Sequence, residues 1–337
     1  MTFKDAVLVM VKNDGLALAY APEELKNDRD VVLAAVKNDG LASDGLALEY
    51  ASQKLRNDRK VVLEAVKSNG FALKFASQEL RNDREVVLTA IKNIGLALKY
   101  ASKELRNNKE IVLKAVRGFG YALEYASQEL KNDREIVLEA VKNDGLAFEY
   151  ASQKLRNDRK VVLEAVKSNG EALKQVGNEF KNDKMVVLEA VKNKTLALFY
   201  ASKELQEDKE VVLEAIKKNG GALFYADRKF QKDKEVVLEA VKNNGKALLY
   251  ASEELKADKE VVLEAIKNNY IALKYSSPDF FRTDEQLAPL IDAIKNSSNY
   301  EFESTAKKFV LDTIMKQRKI INGVEKELMT EYASMEL

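Results

Sequence analysis

The stretch NDRKVVLEAVKSNGFALKFASQEL, residues 57 to 80, holds a helix start, a helix stop and a second short helix in succession. Asp58 stands immediately before an apolar run, where a side-chain oxygen can accept hydrogen bonds from the open amides of a first helical turn. Val61, Val62, Leu63, Ala65 and Val66 follow at helical spacing, Lys67 falls in the last turn and Gly70 just beyond it. That order predicts a helix of about ten residues ended by a left-handed glycine. FALKFA then reads as a shorter helix packing back on the first through Ala65 and Ala72, whose small side chains allow close approach.

The same pattern recurs along the chain. Asp58, Asp83, Asn108, Asp133, Asp158, Asp183, Asp208, Asp233 and Asp258 are each 25 residues apart, whereas Asp28 and Asp58 are separated by 30. The stutter NDGLASDGLALEY, residues 38 to 50, accounts for the difference as a five-residue insertion at 40–44 in one interhelix connection, the kind of lengthening a repeat array tolerates. A further column reads Pro22, Ser52, Ser77, Ser102, Ser127, Ser152, Gly177, Ser202, Asp227, Ser252, Ser277. These residues share suitability at a helix start, so the short helix breaks there and one turn leads to the next cap. Such small helix pairs cannot bury their apolar faces alone and must stack. The expectation is an all-α solenoid of eleven 25-residue repeats over residues 1–282, each a helix, a short helix and a turn, with a C-terminal helical cap over 283–337. In that last segment TDEQLAPLIDAIKN (283 to 296) has its own Thr cap, and Phe302, Phe309, Val310, Ile314, Ile321 and Leu328 share one face beyond it.

Repeats such as LRNDREVVLTAIKNIGLALKYAS (80 to 102) resemble the short helical repeats catalogued as a domain of unknown function and known from intracellular bacteria, amoebal giant viruses and protists. The resemblance covers about residues 3 to 280. It implies an all-helical array within a larger protein, or a secreted effector or a fragment of one, and carries no activity and no site residues. The repeats 46–70 and 146–170 differ only at Leu48 and Phe148, so near-copies coexist with divergent neighbours and the informative residues are those that leave their column.

Function classes narrow quickly. The 337 residues contain no His and no Cys, which removes the commonest general base, the thiolate nucleophile and the commonest metal ligands. Carboxylates occur in every repeat in the same setting, whereas an acid–base pair needs two different ones. NDGLASDG lacks the alternating oxygen ligands of a calcium loop. A non-enzymatic chain without cofactor or metal is expected. Residues 1 to 14 lack the features of a cleavable signal and no window suits a membrane span, so a cytoplasmic chain, or one secreted into a host cell without such a signal, is expected.

Two surfaces compete for a partner. Lys and Arg number 55 against 54 Asp and Glu, so no global field recruits nucleic acid. Arg56 and Arg59, Arg81 and Arg84, and Arg156 and Arg159 nonetheless flank successive turns and could line up into a ridge along a phosphate backbone. The opposing reading pairs them with the interleaved Asp caps and with Glu85, Glu110 and Glu135. A Tyr column, from Tyr50 to Tyr275, reads as core rings with the phenol at the edge, since Phe75 occupies the same place. One residue earlier, Glu49, Lys74, Lys99, Glu124, Glu149 and Lys174 mark a solvent-facing column that then turns to Phe199, Phe224 and Leu249 before returning to Lys274. Three consecutive apolar residues there predict a contiguous exposed stripe and a protein partner, unless the chain's own C-terminal segment covers it. Ile94 and Phe119, standing where other repeats carry Asn or Asp, form a smaller second candidate. Glu171, Gln175, Val176 and Gly177 leave their columns together and predict a bend or soft joint around 171–180.

Overall fold

Nine of the long helices start just after an Asp of the cap column, and Thr2 and Asn108 cap the other two. The computed structural model describes residues 2–38 and 47–281, and among them eleven long helices run from Phe3–Asn13 to Lys259–Asn268 with no strand. In Arg59–Ser68, Asp58 accepts from the amides of Lys60 at 2.9 Å and Val61 at 3.1 Å, the expected cap. Val61, Val62, Ala65 and Val66 are buried, and the equivalent residues of the following helices repeat this face. Leu63 and its counterparts Leu88, Leu113 and Leu138 stay half-exposed on the outer side. The insertion at 40–44 and the segment 283–337 lie outside the described residues.

The short second helix is a 3-10 helix in most described repeats, as at Gly70–Phe75. Asn69 caps it, its backbone extended at φ −144° and its Oδ1 accepting from the amide of Phe71 at 2.9 Å. This corrects the reading of Gly70 as a left-handed helix stop. Gly70, Gly145 and Gly220 do not adopt positive φ; they open the second helix, and close approach explains them. A Cβ at Gly70 would lie 2.5 Å from the carbonyl oxygen of Ala90, at Gly145 2.3 Å from that of Ala165, and at Gly220 2.0 Å from that of Ala240. The glycine lets the next repeat's helix backbone come into contact. In several repeats an Asn fastens the same place: the amide of Gly70 donates to Asn93 Oδ1 at 2.8 Å and Asn93 Nδ2 donates to the Lys67 carbonyl at 3.1 Å.

The serine column ends the 3-10 helix and ties repeats together. Ser52 turns the chain with ψ 156°, its Oγ accepts from the amide of Leu55, and the one-turn helix Gln53–Arg56 follows. Its own amide donates to the Lys26 carbonyl at 2.9 Å and its hydroxyl to Asn27 Oδ1 at 2.7 Å, both in the preceding repeat. Ser77 and Ser102 do the same toward Arg56 and Arg81 and toward Asn57 and Asn82.

The chain divides into two compact parts, 1–180 and 181–337. The first part ends with the repeat whose columns turn polar. Gly177 has no hydroxyl to offer and its amide makes no bond to the Arg156 carbonyl, while Gln175 Oε1 is enclosed without a hydrogen-bond partner. Each part has its own core of Val, Ala and Leu columns.

The glycine account predicts opposite outcomes within one residue type. Gly145→Ala, which drives a methyl into the Ala165 carbonyl, should destabilise the first part by about 1–3 kcal/mol. Gly118→Ala, where an added Cβ meets nothing within 4 Å, should stabilise by up to about 1 kcal/mol. Urea denaturation midpoints of the two variants beside the parent check both.

Candidate protein-interaction surface

The basic columns separate into two structural roles. At the first residue of the long helices, each cation reaches forward to the next repeat: Arg29 to Asp58 at 2.9 Å, Arg59 to Asp83 at 2.9 Å and to Glu85, Arg84 to Glu110, and Lys109 to Asp133 and Glu135 at 2.8 Å. The second part repeats the device, Lys209 reaching Asp233 at 3.1 Å and Glu235 at 2.6 Å. Arg159 stands in the same column. Arg56, Arg81, Arg106 and Arg156 form the other column. They are half-buried, and their Nε atoms are enclosed without a hydrogen-bond partner. A phosphate backbone following Arg59 and Arg84 would have to compete with carboxylates already bound to them.

The stripe is exposed. Phe199 and Phe224 each keep 58% of their surface and Leu249 keeps 44%, values that suit a surface column and not a core one. The polar residues of the column, Glu49 to Lys174 and Lys274, are exposed as well. The neighbouring Tyr column is half-buried throughout and not the core the sequence suggested, because the Ala and Leu before it, such as Ala222 and Leu223, already fill the interior. Its rings meet the stripe. Phe199 packs edge-on to Tyr200 at 5.4 Å and Tyr225 at 6.1 Å, and Phe224 lies 5.1 Å from Tyr225 and 5.2 Å from Tyr250. The result is a continuous aromatic band across consecutive repeats of the second part. In the first part Lys99 takes the equivalent position, its ammonium 5.8 Å from both Tyr100 and Tyr125.

Ile94 and Phe119 lie in the first part and do not join this band. Both replace the side-chain cap of the 3-10 helix and leave it without one. Ile94 is half-buried, with its Cβ 3.1 Å from where a Cβ on Gly70 would sit; Phe119, 41% exposed, packs on Tyr121 at 5.8 Å, which in turn meets Tyr150. Their departure is therefore explained in part by local packing.

Beside the band lies a cleft of about 360 Å³ whose lining includes Leu196, Gly221, Tyr225, Lys246, Leu249 and Tyr250. Reading the columns singly passes over it. The signal was present as two neighbouring departures: Thr195 in the column of Gly70 and Gly220, and Gly221 in the column of Phe71, Leu96 and Tyr121. Around Thr195 the short helix is rebuilt as an α-turn, Ala197–Tyr200. Among the described residues no cluster of acidic side chains is arranged to hold a metal, and no helix is long and apolar enough to cross a membrane.

A family model described as Domain of unknown function (DUF4116) matches residues 4–43, 41–81, 83–131, 108–156, 133–181, 158–206, 208–256 and 233–281. The chain belongs to the DUF4116 family. No curated protein and no solved structure matches it. From 83 onward each match spans two 25-residue repeats, and the first two matches meet inside the stutter at 41–43. A DUF4116 match is thus a pair of the units bound together by the serine, glycine and cation contacts described above.

Those contacts have a pH signature. The Arg29 guanidinium beside Asp58, that of Arg134 beside Asp158 and the Lys184 ammonium beside Asp208 hold these carboxyls below the usual range, against an opposing effect of burial. A carboxyl with a lowered folded pKa stabilises the fold above its unfolded value, about 3.9, and loses that contribution as pH falls through the folded value. The thermal midpoint should therefore be level near neutrality and fall below about pH 4. Asp158→Asn, which keeps the cap but loses the charge facing Arg134, should lower the midpoint at pH 7, with the difference from the parent shrinking as the pH falls below about 4, measured by circular dichroism melts across pH.

Proposed function

We propose that this chain is a non-enzymatic protein-binding scaffold whose docking surface is the band of Phe199, Phe224 and Leu249 with the Tyr rings between them. The observation that carries the reading is the exposure of three consecutive large apolar side chains in a column that is charged from Glu49 to Lys174 and again at Lys274. Scattered apolar residues on a surface are ordinary, whereas a contiguous run is the usual mark of an interface. Aromatic side chains anchored by their neighbours are also the side chains that dominate binding energy. The partner chemistry that fits is a peptide segment of another protein laying apolar side chains along the band. Such binding depends weakly on salt, in contrast to phosphate tracking, which weakens steeply as salt rises.

A photo-crosslinking residue at position 224, with one at Glu239 on a long helix as control, tests this in lysate at two salt concentrations. The expected result is a crosslink from position 224 to a second protein that purified chain then binds directly, with at least a tenfold loss in Phe199→Glu/Phe224→Glu/Leu249→Glu and little change with salt. A crosslink to residues 283–337 of the chain itself would overturn the reading, since the band would then be internal packing.

A further inference from the structure

The cleft beside the band has a chemistry of its own. Of the adjacent glycines Gly220 and Gly221, only the first is required by packing and only the second lines the cleft. A Cβ on Gly220 would strike the Ala240 carbonyl oxygen at 2.0 Å, so no other residue fits there. A Cβ on Gly221 would come no closer than 3.2 Å to Asn219 Oδ1, with its next neighbours at 3.8 and 3.9 Å, so packing tolerates a side chain at this position. Other repeats use it: Leu16, Phe71, Leu96, Tyr121, Leu146, Leu196 and Ile271 fill the same column. At Gly221 a large apolar side chain is missing from a column that normally has one, and the space left is the cleft, with Tyr225, Tyr250 and Tyr275 among its walls.

The walls mix Tyr and Leu side chains with Thr195, Asn219 and Asn244, and Lys246 adds a positive charge. Lys246 follows Gly221 in the same column and lines the cleft. Among the described residues it has no ion-pair partner, although most cations of the long helices have one. No carboxylate lines the cleft; its other polar groups are Thr195, Asn219 and Asn244, and the Asn219 side chain is already engaged by the amide of Gly221 at 2.9 Å and by Asn244 at 3.4 Å. Leu249 belongs both to this lining and to the exposed band, so a segment lying on the band reaches the cleft without a break.

We infer that the space at Gly221 is a socket for an aromatic side chain of the partner segment, with Lys246 meeting a Glu or Asp next to that aromatic residue in the partner's sequence. The inference rests on the docking surface proposed above and specifies the partner's chemistry. A ring supplies the side chain that the column lacks, against Tyr faces and edges that favour aromatic partners. The volume falls within the range of about 300–1,000 Å³ typical of ligand pockets. A nucleotide would also present a ring and negative charge, but a phosphate would meet one Lys here and no Arg, so a singly charged carboxylate is the better match.

The test titrates the full chain into acetyl-Glu-(4-fluoro)Phe-amide, followed by fluorine NMR of the probe. The parent should bind with a dissociation constant in the range of about 0.1–5 mM. Gly221→Leu, which restores the residue found at Leu196, should weaken binding about tenfold or more while melting no earlier than the parent. The neutral probe acetyl-Gln-(4-fluoro)Phe-amide should bind the parent about two- to fivefold more weakly at low salt, and Lys246→Gln should bind the two probes equally. Equal binding by Gly221→Leu, no binding up to about 10 mM, or tighter binding of AMP than of the dipeptide would each overturn the socket. If a protein partner is lost in Phe199→Glu/Phe224→Glu yet held fully by Gly221→Leu, the socket fails and the band stands; if the dipeptide binds and Gly221→Leu loses a partner that Phe199→Glu/Phe224→Glu keeps, the band fails and the socket stands.

Discussion

A side chain at position 220 would have to begin where the Ala240 carbonyl oxygen lies, and much of this structure follows from that collision. The backbone of one repeat touches the backbone of the next, so the glycine that opens most of the 3-10 helices is a condition of that close stacking. Contact at that distance leaves little room for slippage, and the surrounding polar groups hold the register. Asn93 takes the amide of Gly70, Ser77 gives its amide to Arg56 and its hydroxyl to Asn57, and Arg59 reaches the cap of the following helix. Individually, exposed ion pairs and hydrogen bonds contribute little. Recurring from repeat to repeat in the same geometry, they select one stacking arrangement among the many that an apolar Val and Ala face would permit.

This division of labour determines which residues can vary. Columns that touch a neighbouring repeat vary little along the chain, and a departure there loses a contact, as at Gly177, whose amide makes no bond to the Arg156 carbonyl, and at Gln175, whose Oε1 has no partner. Columns facing solvent are free, and only they can carry specificity without disturbing the array. The Arg and Lys columns look free in the sequence but are not. Arg59 and Lys109 are occupied in joining repeats, and Arg56 and Arg81 lie half-buried with their carbonyls bound by the next serine.

How much could be read in advance follows from how far apart the interacting residues are. The Asp caps and the break at Ser52 were legible, because the groups they satisfy lie two or three residues away. The eleven repeats and the solvent-facing column of Phe199 were legible because periodicity reports which face a residue occupies. Gly70 was misread because its partner, Ala90, is twenty residues on, and a glycine after a Lys-ended helix looks the same whether it turns left-handed or admits a neighbour. The Tyr column was misplaced for a related reason: periodicity shows that a position is apolar but not that Ala72 and Leu73 have already filled the interior before it. The cleft could not be read from any single column, since it needs Gly221 to be set against both Gly220 beside it and the large residues of other repeats.

The exposed band is also a variation on a contact the array already makes. From Tyr50 to Tyr275 the rings of the Tyr column are half-exposed, and in several repeats a side chain of the preceding column lies against them. Lys99 does so in the first part, an ammonium near two rings, which is a favourable contact that leaves the surface charged and wet. Phe199 and Phe224 make the equivalent contact with their own rings, which keeps the Tyr column covered but turns the outer layer apolar. The exchange leaves the core untouched, because the column points outward in both cases. It changes what the surface can hold: Lys covers a Tyr and remains solvated, whereas Phe covers a Tyr and itself presents a face that only another apolar group can cover. Placed beside the missing side chain at Gly221, that face gives the second part both a surface to lie on and a space to fill, neither of which is needed to hold the repeats together.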